Sequence, residues 1–143
     1  MTVQAQILDL LNELRESEGM ALLLITHDLG VVARAAARVY VMYAGRIVEE
    51  ASVRDLFQRP LHPYTCGLLQ SLPRLGRRHR RLKAIPGSVA TPGAFGAACA
   101  FAPRCDRVQE ACRSSVPGLY QPSSGQRVRC LFPLSPPQGE VAP

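Results

Sequence analysis

The sequence has no long apolar run, and this absence excludes a membrane-spanning helix of ordinary length. No uninterrupted apolar stretch approaches the roughly 20 residues that a helix needs to cross a bilayer. The N-terminus is polar and carries no secretory signal, so a cytosolic location is the expectation. At 143 residues, 47% of them apolar, the chain has room for one domain or for a small core with an appended module.

Acidic residues are absent from residues 74–83, RLGRRHRRLK, and this stretch accounts for the net charge of +6. Six of the 17 basic residues lie in it, and the other 11 equal the acidic residues in number. Such a run is typical of a solvated linker, of a nucleic-acid patch or of a segment attracted to anionic headgroups. No aromatic residue is interleaved to stack on bases. A linker is therefore favoured, and no nucleic-acid partner is expected.

Four of the five cysteines fall close together near the C-terminal end, while Cys66 stands apart. A reducing compartment disfavours disulfides, so this four-plus-one division predicts a metal site. The spacing C-x5-C-x6-C-x17-C is neither that of a common zinc ribbon nor that of a bacterial ferredoxin, and it leaves the metal open. The predicted ligands are Cys99, Cys105, Cys112 and Cys130. Nearby arginines are expected to offset thiolate charge and to lower the thiol pKa values; they are Arg104, Arg107, Arg113, Arg127 and Arg129.

The first half of the chain alternates helix and strand patterns. Apolar residues at helical spacing predict a helix over residues 3–18, which Gly19 ends. The run MALLLI, residues 20–25, predicts a strand buried in a parallel sheet. An alanine-rich helix is predicted over residues 29–39, followed by a hairpin around Ala44-Gly45.

Cap and proline signals place two further helices. Ser52 is a suitable N-cap for a helix over residues 53–59, which Pro60 stops. A second helix is predicted to begin at HPYT, with Pro63 at a tolerated first-turn position. After Pro73 the composition shifts towards proline and glycine, which indicates a boundary near residue 74. The predicted divisions are residues 1–73, 74–134 and a disordered tail, 135–143.

These elements predict the closing end of an α/β domain with an incomplete sheet. The buried strand has no partner strand before it, so the sequence indicates an N-terminally truncated fragment. Thr26, His27 and Asp28 follow that strand directly, at the position where α/β proteins place ligand-binding groups. His27 can donate a hydrogen bond to an anion near neutral pH, or it can simply satisfy a neighbouring carbonyl.

The order of motifs resembles the C-terminal part of ATP-binding-cassette (ABC) ATPases, in particular the oligopeptide/dipeptide importer subfamily. LLLITHDLGVVA is similar to the switch loop, TVQAQILDLL to the helix after the D-loop, and YAGRIVE to the hairpin that follows. HPYT, residues 62–65, resembles a hallmark of the peptide importers. The resemblance covers nearly the whole chain. It implies that residues 1–73 are part of a P-loop NTPase domain of the ABC type.

The resemblance also implies a role for His27. In such ATPases the corresponding histidine contacts the γ-phosphate of ATP, and phosphoryl transfer depends on stabilising charge there. Thr26 and Asp28 are expected to orient the loop. ATP and Mg²⁺ are the implied cofactors of the complete protein. The implied partners are a second ATPase subunit, permease subunits and, through them, a peptide, at the cytoplasmic face of the inner membrane.

The sequence contains no G-x-x-x-x-G-K-[ST] phosphate loop, no signature segment and no acidic pair that ends a strand. We therefore predict that this chain alone neither binds ATP tightly nor hydrolyses it. Two other hypotheses stay open: a free-standing metal-binding module whose basic run touches nucleic acid, and a non-functional remnant.

The cysteine segment resembles the C-terminal extension of the same importer ATPases. Cys99-Ala-Phe-Ala-Pro-Arg-Cys105 corresponds to its C-x-F-x-x-R-C start, and Val128-Arg129-Cys130 to its V-R-C end. The resemblance implies a [4Fe–4S] cluster held by the four cysteines, with zinc as the alternative.

Overall fold

The structure is a computed structural model that describes residues 3–72, 84–89, 96–123 and 125–134. The chain divides into two compact units, one ending at Ala37 and the other beginning at Arg38. Each unit is described by itself. None of the helices that the structure describes combines the length and the apolar character needed to span a membrane.

The first unit contains two helices, α1 (Val3–Glu18) and α2 (Leu29–Ala35). Gly19 follows α1 with a φ of 62°, a conformation that glycine adopts without strain and that commonly ends a helix. The bounds predicted for α1 are confirmed. The prediction for α2 is too long at its C-terminal end, because the chain turns extended at Ala36 and enters a strand at Arg38.

The predicted buried strand at residues 20–25 is wrong. The structure has no strand there, and the side chains are exposed, with Leu23 at 80% and Ile25 at 91%. A parallel strand needs neighbours on both sides to satisfy its backbone groups. Among the described residues, all paired strands lie in the second unit and are antiparallel. The coarser prediction of a mixed helix and strand fold is confirmed, without the parallel sheet.

The second unit is built on a four-stranded antiparallel sheet with the order β1-β2-β4-β3. Its strands are β1 (Arg38–Tyr43), β2 (Arg46–Ser52), β3 (Tyr120–Ser123) and β4 (Gln126–Val128). Ala44 and Gly45 join β1 to β2 with φ values of 47° and 79°. Two consecutive positive φ values match the twist of a two-residue hairpin. The predicted hairpin is confirmed.

Short helical elements follow the hairpin, and the cap and proline signals predicted the first two of them. They are α3 (Val53–Gln58), α4 (Pro63–Gln70), a 3₁₀ turn (Ala102–Arg104) and α5 (Glu110–Ser114). The Ser52 hydroxyl accepts a hydrogen bond from the Asp55 N–H at 3.1 Å and so caps α3. Pro63 occupies the first turn of α4, where its missing N–H costs nothing.

The cysteine segment and the hairpin share one core. Phe101, between two of the cysteines, packs with Val41, Tyr43, Val48, Ala51 and Leu56. Its ring centroid lies 5.2 Å from that of Tyr43 and 5.5 Å from that of Tyr64. Strand β4 also pairs directly with β2. The basic run 74–83, the predicted boundary at residue 74 and the tail 135–143 lie outside the described residues, and what was predicted there stays a prediction.

Candidate functional site

The two predicted sites lie in different units, so each is considered separately. His27 belongs to the first unit, and the four cysteines belong to the second.

His27 is exposed in the segment that leads into α2, and its neighbours shape the loop. The Asp28 N–H donates to Thr26 Oγ1 at 3.0 Å. Asp28 Oδ1 in turn accepts from the N–H groups of Gly30 and Val31, at 2.8 and 3.3 Å, and caps α2. Both side chains are engaged by the backbone, as predicted, while the imidazole is presented to solvent. No described contact assigns His27 a ligand.

All four predicted metal-ligand cysteines line a single cavity in the second unit. The cavity is small, with a volume of about 20 Å³. Cys112 and Cys130 are buried, Cys99 and Cys105 are half-buried, and all four carry free thiols. The structure therefore brings together four side chains that are well separated in the sequence.

Local backbone structure explains how the cysteines meet. The Cys99 N–H donates to the Cys112 carbonyl at 2.9 Å, which holds the start of the segment against α5. Cys105 ends the 3₁₀ turn, its N–H donating to the Ala102 carbonyl at 3.3 Å. Cys130 follows β4, which is fixed by its pairing with β2. The convergence thus depends on one turn, one short helix and one strand.

Burial raises the pKa of Cys99 and Cys105, and raises that of Cys130 to about 11. The neighbouring thiols add to each rise, since a second negative charge in the same space is unfavourable. These three thiols therefore stay protonated at neutral pH in the metal-free chain. The prediction that arginines lower their pKa values is wrong, because burial is the dominant cause.

Most of the arginines near the cysteines in sequence bind backbone carbonyls or a carboxylate. Arg107 lines the cavity. Arg104 donates to the carbonyls of Ile85 and Pro86, at 3.1 and 2.7 Å, and Arg127 pairs with Glu50 at 3.2 Å. The guanidinium of Arg129 donates to the carbonyls of Ile47 and Pro117, at 2.9 and 3.0 Å.

Backbone N–H groups are directed at three of the sulfurs. Cys99 interacts with the N–H groups of Phe101 and Ala102, Cys105 with that of Arg107, and Cys130 with that of Phe132. These contacts oppose the rise in pKa because they favour the thiolate. Hydrogen bonds to cysteine sulfur also tune iron–sulfur centres. In the described part of the chain, however, no three His, Cys, Asp or Glu side chains form a group that could hold one metal ion as they stand.

Sequence reasoning missed a buried acid, Glu49, which contacts the backbone of the cavity-lining residue His62. This residue is 0% exposed, and its two carboxylate oxygens accept from the N–H groups of Leu61 and His62, at 2.7 and 2.9 Å. Burial raises the pKa of Glu49, and the Thr65 side chain and then these two N–H groups hold the rise in check. Two adjacent glutamates in a strand were the available signal, since alternation requires one of them to face inwards.

His62 was noted in the sequence only as part of HPYT, and the structure gives it a definite place. It is 1% exposed and lines the cysteine cavity. Its Nδ1 accepts from the Tyr64 N–H at 3.0 Å and caps α4. Burial lowers the pKa of His62 to about 4, so the ring is neutral at physiological pH.

Comparison with known proteins gives a family match for part of the chain. Residues 48–112 match the family described as oligopeptide/dipeptide transporter, C-terminal region. This range begins in β2 and extends to the third cysteine of the cavity. It therefore includes His62 and Phe101, which line the cavity, and Glu49, which accepts a hydrogen bond from the His62 N–H.

Individual relatives match over a longer range. The chain is 50% identical over 137 residues to a putative peptide import ATP-binding protein of Brucella ovis, covering 92% of this chain and 40% of that protein. The oligopeptide transport ATP-binding protein AppD of Bacillus subtilis is 50% identical over 132 residues, with the same coverage. The dipeptide transport ATP-binding protein DppD of Escherichia coli is 43% identical over 136 residues, 94% of this chain and 41% of that protein. The chain thus spans well under half the length of these relatives.

Proposed function

Because this chain belongs to the oligopeptide/dipeptide transporter family of ATP-binding proteins, we propose that it forms part of the subunit that powers peptide import. The observation that carries the proposal is identity of 43–50% over more than nine-tenths of the chain to proteins named for that task. The 143 residues contain no phosphate-loop motif. In the proposal, the triphosphate of ATP is therefore bound by polypeptide outside this sequence.

Within that subunit, His27 is the proposed contact to the γ-phosphate of ATP. Its exposed imidazole and the loop that Thr26 and Asp28 shape support this role, because a group that meets a bound nucleotide must be accessible. A hydrogen-bond donor at the equatorial oxygens stabilises the charge of the transition state. The proposed partners are a second ATP-binding subunit and the permease subunits, at the cytoplasmic face of the membrane.

The test uses an assembled importer whose ATP-binding subunit contains this sequence. His27→Ala is expected to lower kcat for ATP hydrolysis by about 10²-fold, the usual effect of removing one transition-state donor. Asp28→Asn is the matched control, since asparagine retains the N-cap oxygen and is expected to have the smaller effect. Retention of kcat within a factor of three in His27→Ala would count against the assignment. The isolated chain is expected to show no turnover above background.

The four cysteines are proposed to hold a metal centre, a [4Fe–4S] cluster with zinc as the alternative. Four thiols around one cavity, with backbone N–H groups directed at three of them, support this donor set. The spacing of the cysteines matches neither common zinc ribbons nor bacterial ferredoxins, so the preference for the cluster rests on the resemblance to the C-terminal extension of the importer ATPases. When bound, such a centre would link the loops that carry the cysteines and add a redox-active group.

Purification of the chain under anaerobic conditions, followed by iron, sulfide and zinc analysis, separates these alternatives. Four iron and four sulfide per chain with broad visible absorption are expected. Stoichiometric zinc without iron would show that the site binds zinc and not a cluster. A chain that is purified metal-free and takes up neither iron nor zinc would reject both proposals. Cys112→Ser is expected to lose the centre, whereas Cys66→Ser, outside the cavity lining, is the matched control that retains it.

A further inference from the structure

His62 has protein partners on both sides of its ring, which separates it from the ligands. Its Nδ1 accepts from the Tyr64 N–H at 3.0 Å, and the imidazole also interacts with the Arg129 carbonyl. A neutral imidazole has one acceptor and one donor nitrogen, and these contacts use both. His62 therefore lines the cavity without a lone pair free for a metal.

The same ring contacts two of the three chain segments that carry the cysteines. On one side its centroid lies 5.7 Å from that of Phe101, which sits between Cys99 and Cys105 in sequence and whose N–H is directed at the Cys99 sulfur. On the other side it meets Arg129, the residue directly before Cys130. The buried side chain of His62 thus lies between the segment that carries Cys99 and Cys105 and the segment that carries Cys130.

Glu49 fixes His62 from the sheet side. Its carboxylate accepts a hydrogen bond from the backbone N–H of His62 at 2.9 Å. Glu49 also pairs with Val128 in the register of β2 and β4. The Arg129 N–H continues this contact by donating to the Val48 carbonyl at 2.8 Å. The backbone at His62 and the backbone leading to Cys130 are therefore held to the same strand.

We propose that His62 is a positioning residue of the four-cysteine site, which sets the distance between the Cys99–Cys105 turn and the strand end that carries Cys130. The inference rests on the proposed metal centre and gives His62 no ligand role. Groups that orient metal ligands without binding the metal typically change metal affinity about 10–100-fold when they are removed. An effect of that size is expected here.

The discriminating variant is His62→Asn in the complete chain. Asparagine is among the best N-cap residues, so it keeps an acceptor for the Tyr64 N–H, but it is too short to fill the space between Phe101 and Arg129. Ser52→Ala is the matched control, because it removes the cap of α3 and lies outside the cavity lining. Metal affinity is measured with Zn²⁺ against a chromophoric chelator, and coordination is read from the Co²⁺ spectrum.

His62→Asn is expected to bind Zn²⁺ about 10–100-fold more weakly than the unaltered chain, while both give a Co²⁺ spectrum of all-sulfur ligation. Ser52→Ala is expected to match the unaltered chain within twofold. Equal affinity in His62→Asn would overturn the inference. A mixed nitrogen and sulfur spectrum that changes only in His62→Asn would also overturn it, since the imidazole would then be a ligand.

A second readout does not depend on the metal and separates this inference from the proposed centre. In the metal-free chain, His62→Asn is expected to speed alkylation of Cys130 by iodoacetamide several-fold, because the buried strand end loosens. If the unaltered chain binds no metal, the proposed metal centre is rejected. The alkylation rates of Cys130 still decide whether His62 positions that residue. Unchanged rates would reject that role.

Discussion

Two short segments of this chain reverse the usual relation between apolar character and burial. Residues 20–25, MALLLI, are wholly apolar and exposed, whereas β2, RIVEEAS, contains two glutamates and is buried at four consecutive positions. Strand β2 has a partner on each side, β1 and β4, and its acids have hydrogen-bond partners. The described residues provide no such partners for residues 20–25. Composition supplies the driving force for burial, and neighbouring strands determine whether burial occurs.

The partners of the two glutamates explain how β2 tolerates them. Glu50 accepts from Arg38 on β1 at 2.8 Å and from Arg127 on β4 at 3.2 Å, so it links three strands. Glu49 points to the other side and receives two backbone N–H groups. A buried carboxylate is stable only when its oxygens are satisfied in this way.

The largest expected effect tests whether the second unit depends on its shared core. Phe101→Ala removes the ring that packs against Tyr43 and Tyr64, and is expected to lower the free energy of unfolding by about 3–5 kcal/mol. The near-ultraviolet circular dichroism of the tyrosines, followed during urea unfolding, measures this loss. Phe101→Leu is the milder companion, with an expected loss below about 1.5 kcal/mol. A loss under about 1 kcal/mol in Phe101→Ala would mean that the cysteine segment does not share the core of the hairpin.

A second prediction concerns pH and the buried imidazole. The unfolded chain takes up a proton at His62 near pH 6.5, whereas the folded chain resists it until about pH 4. The folded state is therefore destabilised as the pH falls from 6.5 to 4, by about 3 kcal/mol at most. The raised pKa of Glu49 has the opposite effect: above the ordinary pKa of glutamate it lowers the stability of the folded state as the pH rises. Subtracting the pH profile of His62→Asn from that of the unaltered chain therefore isolates the contribution of the histidine. Identical pH profiles for the two would contradict the prediction.

The smallest expected effect lies in the exposed segment. Ile25→Ser, at a position 91% exposed, is expected to change the free energy of unfolding of this chain by less than about 0.5 kcal/mol. The matched replacement Val48→Ser, at a position 4% exposed, is expected to cost at least about 2 kcal/mol because it buries a hydroxyl in the core. Equilibrium urea unfolding of both variants checks the contrast. Equal losses would show that residues 20–25 are buried in solution.

Local features were predictable because their causes lie within a few residues. The end of α1 at Gly19, the Ser52 and Pro63 signals and the Ala44-Gly45 turn all agree with the structure. The grouping of four cysteines was also predictable, and the structure places all of them around one cavity. The prediction of a buried strand at residues 20–25 was wrong because it rested on the apolar character of the segment and not on partner strands.

The candidate site was only partly predictable, since its supporting contacts join distant residues. Glu49 meets the backbone of Leu61 and His62, and β2 pairs with β4 across most of the second unit's sequence. A pattern of spacing carries no information about such pairings. The same limitation applies to the arginines, whose side chains mostly bind carbonyls and Glu50 instead of facing the thiols.

The amino-acid sequence by itself determined the caps, the hairpin turn, the family resemblance and the set of four thiols, because each depends on residue type at short spacing. Only the tertiary structure decided that residues 20–25 are exposed, that the cysteine segment completes the hairpin sheet, and that Glu49 holds the backbone of His62, which lines the cavity. The physical reason is that burial and hydrogen bonding in a core are set by which distant segments meet, and that is a property of the folded chain.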